Sequence, residues 1–148
     1  MYREGPHGFN VPYGNNKTIA LPTEDQLKEF SDLVQPVVFQ NQGFQESLSR
    51  VQPGDFVYLD PPYAPETDTS FVSYTADGFG LDNHKQLFKL IHEIVEKGTK
   101  IVLSNAEVKI VKDTFLSPLY TTQTISCRRA IHSKNPGSKT NEVLITNA

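Results

Sequence analysis

Cysteine is almost absent from this chain. Cys127 stands alone among 148 residues, so no internal disulfide can form, and a reducing compartment suits the protein. Apolar residues never run to the 18 or more that a membrane helix requires, and no secretory leader opens the sequence. The expectation is a protein neither membrane-spanning nor secreted. Metal ligands are scarce as well. His7, His84, His92 and His132 are scattered, none at ligand spacing from a cysteine or another histidine, so no metal is expected.

What remains is one domain's worth of chain with 37% hydrophobic residues, enough for a real core. The net charge is −3, but it is unevenly spread. Residues 1–96 carry 6 basic and 14 acidic side chains, a balance of −8; residues 97–148 carry 8 and 3, a balance of +5. Such asymmetry suits a polyanion meeting the C-terminal third, and it equally suits solvated helix faces.

The first 22 residues, rich in Gly, Pro and Asn, read as loops around a hairpin. Thr23 then has the features of a helix N-cap: Glu24 and Asp25 fill the first turn, and Gln26 is the capping-box partner. Leu27, Phe30, Leu33 and Val34 form the matching stripe, and Pro36 ends the helix. Val37–Phe39 reads as a short strand, and a brief helix is expected over about 44–50. Asp55–Leu59 is a near-continuous apolar run, the signature of a strand buried on both faces of a parallel sheet. A long irregular stretch follows, and loops of that length inside a compact domain are usually functional. Asp82 is expected to cap the next helix (stripe Leu87, Leu90, Ile91, Ile94, Val95), which Gly98 stops. A second buried strand, 100–105, a short helix over about 106–115, and two β-rich segments at 119–127 and 142–146 close the chain. The order is that of an α/β doubly wound fold ending in an antiparallel pair.

The chemical question sits at Asp60-Pro61-Pro62-Tyr63. In an open α/β sheet, ligands bind beyond the carboxyl ends of the strands, and Asp60 lies at such an end. Two prolines fix the backbone and donate no hydrogen bond, so the corner is rich in acceptors and poor in donors. That suits a substrate presenting an NH2 group, with Tyr63 offering a flat face to a planar ring. Acceptors held out of the ring plane favour a pyramidal amine nitrogen and stabilise its growing positive charge. A base acted on within a duplex must first be extruded. By itself the tetrapeptide is also an ordinary strand exit.

Four stretches extend the pattern: GFNVPYG (8–14), GDFVYLDPPYAP (54–65), FVSYTADGF (71–79) with LDNHKQL (81–87), and LSN (103–105) followed by CRRAIHS and NEVLITN. Together they resemble the C-terminal part of a Dam-type (alpha-group) DNA adenine-N6 methyltransferase carrying the DPPY motif. The resemblance covers essentially the whole chain in the right order. It implies a partial Rossmann-like methyltransferase sheet over 23–148, preceded in 1–22 by the end of a DNA-recognition hairpin.

It also implies roles. Asp60 and Pro61 would hold the adenine amine, with Pro62 completing the corner, Tyr63 stacking on the ring and Asp60 near the methyl sulfonium of S-adenosylmethionine. Tyr74 and Phe79 fall in the loop over the flipped base, where lid packing is the simpler role. Arg3, Asn10 and Pro12 fall where the hairpin meets double-stranded DNA; Arg3 lies six residues before Phe9, where the family places its arginine seven before. Arg128 and Arg129, with Lys134 and Lys139, suit phosphates or a solvated strand edge. Asp at position 60 favours adenine, since a cytosine amine goes with Ser there and a glutamine amide with Asn. The family's glycine-rich cofactor motif has no counterpart in the sequence. The expectation is a catalytic portion that works with a separately made N-terminal portion, in the cytoplasm, nucleoid or nucleus; the alternative is an inactive remnant that binds DNA or a partner.

Overall fold

A computed structural model of the protein describes residues 4–5, 8–9, 21–65, 78–128 and 139–147. The chain divides into two compact units, Met1–Asn41 and Gln42–Ala148.

In the first unit, β1 (Glu4–Gly5) pairs antiparallel with β2 (Gly8–Phe9). Helix α1 spans Glu24–Leu33. Its capping box is complete: Gln26 N–H donates to Thr23 Oγ1 (3.3 Å), and Thr23 N–H donates to Gln26 Oε1 (3.0 Å). None of its residues is buried, and Leu27, Phe30 and Leu33 stay exposed. The strand expected at Val37–Phe39 does not form. A β-branched pair favours a pleated surface only where a neighbour pairs with it, and no strand pairs with these residues among those described.

The second unit carries helices α2 (Phe44–Ser49), α3 (Leu81–Glu96) and α4 (Lys109–Thr114). Its strands are β3 (Phe56–Leu59), β4 (Lys100–Ala106), β5 (Tyr120–Arg128) and β6 (Lys139–Asn147). They form one sheet in the order β3-β4-β6-β5. β3 and β4 are parallel, joined through α3, while β6 runs antiparallel to both β4 and β5. The fold is mixed α/β, and the antiparallel closing pair is as expected.

Register separates the sheet's two faces. Val57 and Leu59 share a face with Ile101, Leu103 and Asn105, and with Val143 and Ile145 on β6. Leu87, Phe88, Ile91 and Ile94 of α3 join these residues in one core, with Val111 and Phe115. The opposite face carries Phe56, Tyr58, Ser104 and Glu142, and there Phe56 and Tyr58 are 67% and 61% exposed. β3 is thus buried on one face, not both. It is the edge strand of the described sheet, and the helices of the unit pack on the other side.

Helix α3 begins two residues earlier than expected. Gly80, not Asp82, is its N-cap, and Asp82 falls in the first turn, where a carboxylate still favours the positive end of the helix. At the other end, Gly98 N–H donates to Val95 C=O (2.9 Å) and Thr99 N–H to Ile94 C=O (3.1 Å), the paired bonds of a Schellman stop. Gly98 sits at φ 94° with nothing within 4 Å of an added Cβ. Gly98→Ala therefore meets backbone strain without a clash, and we expect a loss of about 1–2 kcal/mol in urea unfolding.

Candidate active site

The proline corner leaves the C-terminal end of β3. Asp60 is exposed; Pro61, Pro62 and Tyr63 are half-buried; Ala64 is buried. The backbone turns there from an edge strand towards the sheet's interior, and three neighbouring elements hold it.

From the helical face, β4 reaches the corner through Asn105, which is fully buried. Its Oδ1 accepts from Ala64 N–H (2.8 Å) and from Ala106 N–H (2.9 Å). The carboxamide is thereby fixed in orientation, and its Nδ2 is buried without a hydrogen-bond partner among the described residues. From α3 comes His84, also fully buried. Its Nε2 lies 2.9 Å from Pro62 C=O and its Nδ1 2.9 Å from Gly80 C=O. The ring thus bridges the corner and the first turn of α3. Phe79 packs edge-on against it with centroids 4.7 Å apart, and Phe44 packs against Phe79 at 5.6 Å.

From the opposite face, Ser104 and Glu142 take the Tyr63 hydroxyl. The phenol donates to Glu142 Oε2 (3.0 Å) and, 2.8 Å from Ser104 Oγ, accepts the serine hydrogen. Burial pushes the Tyr63 phenol above its ordinary value of 10.0; the Ser104 hydrogen bond offsets part of that rise, while Glu142 and the nearby Asp60 carboxylate add to it. The core phenol of Tyr120 is raised too, by burial and then by the charge of Glu96. In the unfolded chain these phenols ionise first, so above pH 10.0 the unfolded state binds fewer protons and gains ground. Stability from these groups is complete below that pH and drains away as pH rises through the folded values. Thermal unfolding followed across alkaline pH should show this fall, and Tyr63→Phe should make it shallower.

Two acceptors stand apart from this network. The Asp60 carboxylate and the Pro61 carbonyl have no hydrogen-bond partner among the described residues. Every other polar group of the corner from Pro62 to Ala64 that these bonds involve points inward. No group of three or more metal-ligating side chains occurs among the described residues.

Of the residues singled out from sequence, Asp60, Pro61, Pro62 and Tyr63 come together as one corner. Phe79 lies beside it as internal packing on His84 and Phe44. Arg128 ends β5, its backbone paired with Lys139. Arg3, Asn10, Pro12, Tyr74, Arg129 and Lys134 lie outside the described residues. The sequence reading assigned no roles to His84, Ser104, Asn105 and Glu142. One signal was available: Ser104 and Asn105 interrupt the apolar run KIVLSN, and polar residues inside a buried strand need partners.

A proline corner at a strand's carboxyl end, with two acceptors left unengaged by the described residues, is a place that can hold a substrate's NH2 group. The model of the D12 class N6 adenine-specific DNA methyltransferases matches residues 1–131, and the chain belongs to that family. Among curated relatives, it is 32% identical over 130 residues to the retron Ec67 DNA adenine methylase of Escherichia coli, covering 88% of this chain and 43% of that protein. It is 34% identical over 130 residues to the DNA adenine methylase of Haemophilus influenzae, covering 86% and 44%. A third relative, the type II methyltransferase M1.LlaDCHI of Lactococcus lactis, is 29% identical over 152 residues, covering 99% and 53%. The chain spans about half the length of these relatives.

Proposed function

We propose that this chain is the catalytic-motif portion of a DNA adenine methyltransferase, acting on N6 of an adenine flipped out of double-stranded DNA. The observation that carries the reading is the pair of unengaged acceptors at Asp60 and Pro61, held beside a tyrosine ring whose own hydroxyl is already occupied. The amine's two hydrogens meet the carboxylate and the carbonyl; the base plane rests on Tyr63. Proline at 61 and 62 keeps competing N–H donors out of that space. As positive charge grows on the nitrogen, the fixed carboxylate stabilises it without reorganising.

S-adenosylmethionine, when bound, supplies the electrophilic methyl group. An exposed carboxylate without a cation partner among the described residues fits the cationic end of that molecule, so Asp60 serves both sides of the transfer. For the rest of the cofactor we infer a contribution from a Rossmann-like portion packed along β3, where Phe56 and Tyr58 present apolar surface. Residues 1–22 would then be the end of a recognition hairpin and 23–148 the catalytic portion. Arg3, Asn10 and Pro12 would meet DNA from the hairpin, and Arg128 and Arg129 would meet phosphates. Tyr74 would cover the base.

The test is transfer of labelled methyl groups from S-adenosylmethionine to unmethylated bacterial DNA, with digestion to nucleosides. The chain is assayed alone and with the N-terminal portion of a relative added. Label in N6-methyladenine supports the reading; label in another nucleoside, or none in either mixture, overturns it.

A further inference from the structure

We propose that Glu142 is a positioning residue that sets the plane of the Tyr63 ring, an inference that rests on the function proposed above. Glu142 lies on β6, two strands away from the corner, opposite Ala106 and Ile125 in register. Its position on the strand puts the side chain on the face that the helices leave open. A half-buried carboxylate there is costly unless something donates to it, and no ion pair reaches Glu142 among the described residues. The Tyr63 hydroxyl donates to it at 3.0 Å, and the Cys127 thiol is a second, weaker donor. The Cys127 thiol, raised by burial and then by Glu142, lies against the same carboxylate.

The stoichiometry of the phenol gives this contact its meaning. Its single hydrogen goes to Glu142, and one lone pair takes the Ser104 hydrogen. The hydroxyl is therefore spent inside the protein, and what Tyr63 offers a base is its ring face. A ring pinned at Cα by the proline corner and at Oη by two residues on two strands cannot tilt. An aromatic platform that tilts would carry the amine away from Asp60 and Pro61, and small misplacements of a reacting group cost rate steeply. Glu142 and Ser104 thus act through Tyr63, not on the substrate.

Two measurements on the full chain test this. The first follows the Tyr63 phenol by NMR of ring-labelled tyrosine through an alkaline titration, in wild type, Glu142→Gln and Glu142→Ala. Glu142→Ala should bring the titration down towards 10.0 and speed ring flipping; Glu142→Gln, which keeps an accepting oxygen, should keep the ring slow. An unchanged ring in Glu142→Ala overturns the proposal whether or not the chain methylates DNA. The second measures methyl transfer in Tyr63→Phe, Glu142→Ala and the double variant. Each single change should lower kcat about tenfold, and the double should be no slower than either. Glu142→Gln should stay within about threefold of wild type. Multiplicative losses in the double variant, or a slow Glu142→Ala beside a fast Tyr63→Phe, overturn it too. If wild type transfers no methyl group, alone or with the N-terminal portion of a relative added, while the ring responds as expected, the tether stands and the proposed function is what fails.

Discussion

Asp60→Ala should lower methyl transfer at least about 10²–10³-fold, the scale on which single preorganised polar groups act on developing charge. The same change should leave the unfolding midpoint in urea where it was. Asp60 is exposed and has no hydrogen-bond partner among the described residues, and such positions rarely move stability by more than about 0.5 kcal/mol. This separation of activity from stability is the signature of a group kept for a ligand. A parallel loss of both would instead make Asp60 a structural strand exit.

Asp60→Asn sharpens the test. Asparagine keeps the shape and one accepting oxygen but puts an N–H2 where the second oxygen stood. That donor faces the substrate amine's hydrogens, and the negative charge that balances the growing cation is gone. Transfer should fall nearly as far as in Asp60→Ala, while DNA binding, measured by gel shift at fixed salt, stays level. Recovery of most activity in Asp60→Asn would mean that hydrogen-bond shape alone governs the corner.

The helices were legible in the sequence where local chemistry decides them. Thr23 with Gln26 and the Gly98 stop are contacts within a few residues of chain, so pattern and outcome coincide. Asp82 misled because Gly80, already extended, begins the helix without a side-chain cap. β3 misled for a different reason. An apolar run states that a strand can be buried, but which faces are covered depends on the elements packed against it, and Phe56 and Tyr58 lie on the uncovered side. The corner itself was readable because prolines write their constraints locally. Its tethers were not, since Ser104 and Asn105 lie 41 residues from their partners and Glu142 lies 79 from Tyr63. Periodicity carries no information at that range.

Asn105→Ala is the substitution from which the largest loss of stability at the site is expected. The side chain is fully buried, and one oxygen satisfies two backbone donors, at Ala64 and Ala106. Alanine strands the buried Ala64 N–H and the half-buried Ala106 N–H and leaves a void, which together should cost about 2–5 kcal/mol. Ser104→Ala offers the control: the Tyr63 hydroxyl keeps Glu142, so the loss should be about 1 kcal/mol. Amide hydrogen exchange locates the effect, because the Ala64 N–H should lose protection in Asn105→Ala and keep it in Ser104→Ala. Equal losses in the two variants would mean that the corner is held mainly by its prolines.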